Sequence, residues 1–359
     1  MINIYGQKIA LISDIHLGIH TNSEEWHKII LDYGIWLKNE LVSKGIKDIF
    51  VLGDIFNDRS DIGVRTLHVA ENFFKIFTEG TYNFNVVLLA GNHDSYFKDN
   101  ADINSISILR GWKNITVVDT LQIAEWFNKK YALVPWGVDI NQISEKMDGI
   151  FGHFDINTFK INTMKLCEHG IDSDVLLDKG KLIMSGHYHT KQERIYPNGR
   201  IIYLGCPYSQ NWGDAEDIKG YYILDVKEGT YEVFENIISP RYHKIKLTDF
   251  LDKTRLSEIK QRIKGNFIKI LVDRAMDYEQ FDKLQNKLNG MLPMDLSSDF
   301  SEIQDDSTPE NYEAVDMDIP TMIPEYIDSL DKGELRDKII NELVEIHNTA
   351  LTRVKIESN

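Results

Sequence analysis

The sequence predicts an α/β fold built on a buried sheet, and two patterns carry that prediction. Several short runs, among them Lys8–Ser13, Asp48–Leu52 and Asn85–Ala90, are nearly unbroken in Val, Ile and Leu, as in strands covered on both faces. Helical stretches alternate with them. Glu24–Lys44 sets Ile29, Ile30, Tyr33, Trp36, Leu37 and Leu41 on one stripe, and Val64–Phe77 is a second such segment.

Further strands are expected at Tyr131–Pro135, Gly149–Gly152, Lys181–Ser185, Ile201–Leu204 and Tyr221–Val226. From about Ser239 the rhythm changes. "YHKIKL", a helix, "FIKILVDRA" and a helix over Tyr278–Asn289 read as a small α+β unit. Residues 299–331 hold eleven Asp or Glu and no Lys or Arg, with Pro309, Pro320 and Pro324 among them, which suits a linker. A last helix is expected over Glu334–Ile356, where Leu335, Ile339, Leu343, Ile346 and Ala350 share one face.

A chain of 359 residues is long enough for a large core and more than one domain. Its two cysteines, Cys167 and Cys206, form no CxxC pattern. A disulfide framework and a thiolate metal site are therefore not expected, and the usage fits a reducing cytoplasm. No signal peptide or membrane span is visible. Removing the eleven acids of 299–331 from a net charge of −16 leaves −5. A body that acidic should bind nucleic acid weakly on its own. Part of the acidity suits cation ligands instead.

Five apolar runs end in metal-capable side chains. "ALISDIHLG" offers Asp14 and His16, and "IFVLGDIF" offers Asp54. "VVLLAGNHD" offers Asn92, His93 and Asp94, "GIFGHFD" offers His153, and "MSGHYHT" offers His187 and His189. One H-x-H is more often structural than functional. Five such junctions are another matter, because sites in open α/β sheets form outside the carboxyl ends of strands. Gly53, Gly91, Gly152 and Gly186 each precede a candidate ligand, where a tight turn would aim the next side chain back over the sheet edge.

In order, D-x-H, G-D, G-N-H-D, G-H and G-H-x-H resemble the calcineurin-like metallophosphoesterase superfamily. The resemblance spans residues 14–189 and implies a two-sheet β-sandwich flanked by helices, with two divalent ions at one sheet edge. By motif, one ion would take Asp14, His16, Asp54 and His189, and the other Asp54, Asn92, His153 and His187. Mixed imidazole and carboxylate donors suit Mn, Fe or Zn, with Mn2+ the expected ion. Ions about 4 Å apart polarise a phosphoryl oxygen and activate water. His93 would then stabilise the transition state and protonate the leaving oxygen. Asp94 would orient it or cap the next helix.

Within the superfamily, "LISDIHLG", "LGDIFND", "AGNHD" and the closing stretch 204–226 look most like the SbcD-type nuclease, and the length most like phage recombination endonuclease subunits. That resemblance implies domains at 1–238 (nuclease), 239–298 (DNA-capping), 299–323 (linker) and 324–359 (a helical segment for an SMC-like ATPase). It also implies a homodimer paired through helices near 63–79 and 102–109, and roles in DNA repair, recombination and replication. Here Leu67, Phe73, Phe74 and Phe77 read more simply as core. One position departs from the pattern: Asn57 stands where many members carry His. A small-substrate phosphodiesterase with the same site is the alternative, and a metal-free scaffold is disfavoured because every ligand position is filled.

Overall fold

The computed structural model describes residues 2–161, 165–252, 254–274, 276–300, 339–340 and 342–344. The chain divides into two compact units, Met1–Ile303 and Gln304–Asn359. In the second unit the described residues 339–340 and 342–344 are helical. The rest of the expected terminal helix and nearly all of the acidic stretch lie outside the described residues.

The first sheet alternates with helices as anticipated: β1 (Lys8–Ile12), a helical turn α1 (Ile19–Asn22), α2 (Glu24–Ser43), β2 (Asp48–Leu52), α3 (Val64–Thr78), β3 (Asn85–Leu89) and β4 (Ile115–Val118). The second sheet is built from β5 (Gln122–Trp126), β6 (Lys129–Val134), β7 (Met147–His153), then α4 (Ser173–Lys179), β8 (Gly180–Gly186), β9 (Gln192–Tyr196) and β10 (Gly199–Tyr203). The chain then returns to the first sheet through β11 (Gly220–Asp225) and β12 (Thr230–Glu235). The strand orders are β12-β11-β1-β2-β3-β4 and β5-β6-β7-β8-β10-β9.

Strand alternation explains the layers. Ile9, Leu11, Phe50 and Leu52 of the first sheet share a core with Leu133, Phe151 and Met184 of the second, so the two sheets pack face to face. Ala10, Ile12, Ile49 and Val51 point the other way, onto α2 and α3 residues such as Tyr33, Leu37, Phe73 and Phe77. Ile150 and Ile183 face Leu176 and Leu177 of α4. This is the mixed α/β, two-sheet architecture expected from the sequence. Phe73, Phe74 and Phe77 are at most 2% exposed and serve as core.

A third sheet, β13-β14-β15, follows in β13 (Tyr242–Lys246), β14 (Phe267–Leu271) and β15 (Asp295–Asp299), with α5 (Leu247–Leu251), α6 (Leu256–Ile263) and α7 (Tyr278–Asn289). It has a core of its own, including Ile245, Ile263, Ile270 and Leu288. Tyr242 and Phe267, however, join the core of the first sheet, and Phe267 stacks on Trp26 of α2 at 5.7 Å. The helix expected over 102–109 is instead a five-residue 3-10 helix, Ser105–Leu109. Asn104 and Ser107 side chains bond to nearby carbonyls there (Asn104 Nδ2 to Ala101 O at 2.8 Å, Ser107 Oγ to Asn104 O at 2.7 Å), the competition that keeps such residues out of longer helices.

Candidate metal centre

β1, β2 and β3 run parallel in one sheet, and β7 and β8 run parallel in the other. All five therefore deliver their carboxyl ends to a common region. One bond stitches the sheets there, His153 Nδ1 donating to Leu52 O at 2.7 Å, while Ser13 Oγ donates to the same carbonyl at 2.7 Å from within the first sheet. Asp14, His16, Asp54 and His187 all take positive φ, at 57°, 51°, 53° and 95°. Such backbone costs energy for non-glycine residues and clusters at functional sites. Of the four preceding glycines, only Gly53 has positive φ. Gly186 is required for space instead: a Cβ there would lie 1.9 Å from Ser13 Oγ and 2.3 Å from Leu52 O.

The structure brings the seven candidate ligands together. Donor atoms of Asp14, His16 and His189 lie within 4.8 Å of one another, as do those of Asp54, His153 and His187. Asp54 stands between the sets, with Oδ2 3.6 Å from His16 Nε2 and Oδ1 3.3 Å from His153 Nε2. Asn92 Oδ1 is 2.9 Å from His153 Nε2 and 2.8 Å from His187 Nδ1. Asp14, His16, Asp54 and His153 are buried, while Asn92, His93, His187 and His189 are partly open.

The tautomers test whether these residues fit cations. The Leu52 carbonyl can only accept, so His153 must carry its proton on Nδ1. Its Nε2 lone pair then faces two oxygens, Asn92 Oδ1 and Asp54 Oδ1. His187 Nε2 donates to Asp155 Oδ1 at 2.8 Å, so its Nδ1 lone pair also faces Asn92 Oδ1. His16 Nε2 meets His189 Nε2 at 3.1 Å, nitrogen against nitrogen. Imidazole nitrogens converging on a carboxylate and an amide oxygen form a donor set that favours positive charge between them, as a proton or a metal. The same demand appears in the titration. Burial pulls the His153 imidazolium down, yet Asp54 overrides it and raises the group to about 9. Burial likewise pushes the Asp54 carboxyl up, but His153, His16 and His93 hold it well below the usual carboxylate range. The residues fit divalent cations.

His93 lies beside this group. Its backbone N–H donates to Asp54 Oδ1 at 2.9 Å, and its ring packs edge-on to His16 at 4.8 Å. Its Nδ1 donates to the Asn57 carbonyl at 2.7 Å. The departure at 57 thus contributes through its main chain. Asp94 makes a different set of contacts from those of an orienting partner. It is fully buried and accepts backbone N–H groups from Ile55, Phe56 and Gly91, each at 3.0 Å, which clamps the loop after β2 to the loop after β3. Burial and the nearby Asp54 charge push its carboxyl upward.

Three supporting residues escaped the sequence reading. Asp155 Oδ1 accepts from both His187 Nε2 and Tyr188 Oη, each at 2.8 Å, which fixes the His187 ring. Gln210 Nε2 donates to the Asp14 carbonyl at 2.7 Å. Lys219, with 4% of its side chain exposed, donates to the His189 carbonyl at 2.7 Å and to Asp214 at 2.6 Å. The only sequence signal was for Asp155, which stands two residues after His153.

With this geometry in place, the comparisons are specific. Residues 7–218 match the calcineurin-like phosphoesterase model, so the chain belongs to that family. It is 28% identical over 240 residues to exonuclease subunit 1 of Enterobacteria phage T4, covering 64% of this chain and 68% of that protein. It is 24% identical over 200 residues to the putative phosphoesterase 078R of Invertebrate iridescent virus 3, covering 51% of this chain and 54% of that one. A solved structure described as a novel archaeal phosphodiesterase is 14% identical, with a TM-score of 0.35, over 64% of this chain and 99% of that one. Among the described residues no helix is long and apolar enough to cross a membrane.

Proposed function

We propose that the chain is the nuclease subunit of a DNA-processing assembly, hydrolysing DNA phosphodiesters with two divalent ions, Mn2+ being the best suited. The observation that carries this reading is the convergence of seven donor side chains from both sheets on one point, in a fold that also bears an extra α+β unit. A small-molecule phosphodiesterase has no evident need of that unit. The relative from phage T4 is named as a subunit of an exonuclease.

Asp14, His16, Asp54 and His189 would hold one ion, and Asp54, Asn92, His153 and His187 the other. Bound ions would polarise the phosphoryl oxygen and lower the pKa of the attacking water. The chain's own residues supply the rest. Asp155 keeps His187 in one tautomer, and Asp94 keeps the Asp54 and Asn92 loops in register. His93 is anchored through Nδ1, which leaves Nε2 to hold a proton for the leaving oxygen. Residues 239–298 would cap the DNA, 299–323 would tether, and 324–359 would hold an SMC-like ATPase. Two chains would pair through the exposed apolar side chains of Val64, Ile103 and Ile108.

The test compares end-labelled DNA with a chromogenic phosphodiester, each with Mn2+, Mg2+ or chelator, and with or without the candidate ATPase. Mn2+-dependent DNA cleavage, stimulated by the ATPase, is expected. Hydrolysis of the chromogenic ester with intact DNA would favour the small-substrate reading.

A further inference from the structure

We propose that the cavity beside His153 is a nucleobase subsite, in which Trp136 stacks the base of the nucleotide next to the scissile phosphodiester. The proposal rests on the nuclease reading and adds to it where the strand lies and what holds it.

The cavity measures about 370 Å³ and is bounded by Lys98, Trp136, Val138, His153, Asp155 and His169, among others. That volume lies within the range of ligand sites, roughly 300–1,000 Å³, and exceeds what a phosphate needs. One wall belongs to the candidate centre itself, since His153 and the His187-binding Asp155 both line it. A strand whose phosphate sits at that centre carries a base into this neighbourhood, provided the base leaves its stack.

Trp136 is built as a platform. Its backbone N–H donates to Ala90 O at 2.9 Å, and its indole Nε1–H donates to Lys98 O at 2.8 Å. The ring centroid lies 5.2 Å from that of His187 and 6.1 Å from that of His153. The indole is half-buried and belongs to none of the hydrophobic clusters among the described residues. Its N–H is satisfied and its position fixed, while its ring borders open space. Sequence-tolerant strand binding uses such aromatic faces, because every base has a π-face.

The rim favours an uncharged ring over a second phosphate. Lys98 stands beside Asp99, and Asp155 already pairs with His187, so the cavity has no strong excess of either sign. Among the described residues both hydrogen bonds to Asp155 fall on Oδ1, and Oδ2 would accept from the edge of a base.

The experiment uses the full chain, Mn2+ and labelled single-stranded oligonucleotides that carry one abasic residue at scanned positions. A chromogenic phosphodiester without a base is run in parallel. In the wild type, kcat/KM at the phosphodiester next to the gap should fall about tenfold, the scale of one lost base–aromatic stack. Trp136→Leu should lower cleavage of the intact strand by a similar factor and then show no further loss on the abasic strand. Trp136→Phe should retain most of the base dependence. A wild type indifferent to the gap overturns the subsite, whatever the variants do. So does an abasic penalty that persists in full in Trp136→Leu. If the chromogenic ester is hydrolysed and no oligonucleotide is cut, the nuclease reading fails and takes the subsite with it. If DNA is cut without base dependence, only the subsite fails.

Discussion

His93 is tied to the Asn57 carbonyl through Nδ1 and to Asp54 through its own main-chain N–H. Only Nε2 remains for proton transfer, and the main-chain bond to Asp54 does not depend on the ring. His93→Gln should therefore leave Mn2+ binding unchanged in calorimetry, while turnover drops about 10²–10⁴-fold. Lys219 acts from behind the site. Its ammonium is buried against Asp214 and holds the His189 carbonyl. Lys219→Met strands a buried carboxylate and should cost about 3–5 kcal/mol in urea unfolding, much of it recovered in Lys219→Met/Asp214→Asn, which removes the charge and keeps an acceptor for the Gln210 and Asn211 N–H groups. The seven candidate ligands that the fold groups together were legible in the sequence because each stands at the end of an apolar run. Asp155, Gln210 and Lys219 were not, because a buried lysine cannot be told from a surface one until its partner is placed.

At the scale of elements, α2 and α3 pack closely at Gly34. A Cβ there would lie 2.9 Å from Phe73 Cε2, and Phe73 is 1% exposed among other rings. Alanine normally gains about 1 kcal/mol over glycine inside a helix. Overpacking costs about 1–3 kcal/mol. Gly34→Ala should thus lower stability by about 1 kcal/mol, and a rise in Tm would refute this account of the helix pair. The buried parallel strands were readable because both faces are apolar. β9 and β12 were missed for the opposite reason. They are sheet-edge strands, QERIY and TYEVFE, whose burial never exceeds intermediate. Periodicity carries little information where a strand is only partly covered.

Across the first unit, the β13–β15 sheet joins the larger one through Tyr242, Phe267 and a polar cluster around His243. His243 Nδ1 is 3.3 Å from Glu216 Oε1 and 3.1 Å from Arg262, which also pairs with Glu216, and Arg241 lies nearby. Burial first, and then Arg262, hold the imidazolium below its ordinary value against the pull of Glu216. A depressed folded pKa means that this contribution to stability is complete above about 6.5 and is lost as pH falls below it. Between pH 7.5 and 5.5 the wild type should therefore lose more Tm than His243→Gln. Equal losses would show that the cluster is not linked to folding. The sequence marked this region as an α+β unit but gave no sign that Tyr242 and Phe267 belong to the main core, since aromatic residues in a strand do not declare which core they fill.

The central claim is that both sheets build one centre for two cations around Asp54, and metal stoichiometry tests it most directly. Calorimetric titration of the full chain with Mn2+ should give two ions per chain for the wild type. Asp54→Ala should lose both, because that carboxylate faces both histidine sets. A wild type that binds no divalent ion, or an Asp54→Ala variant that still binds two, would contradict the account.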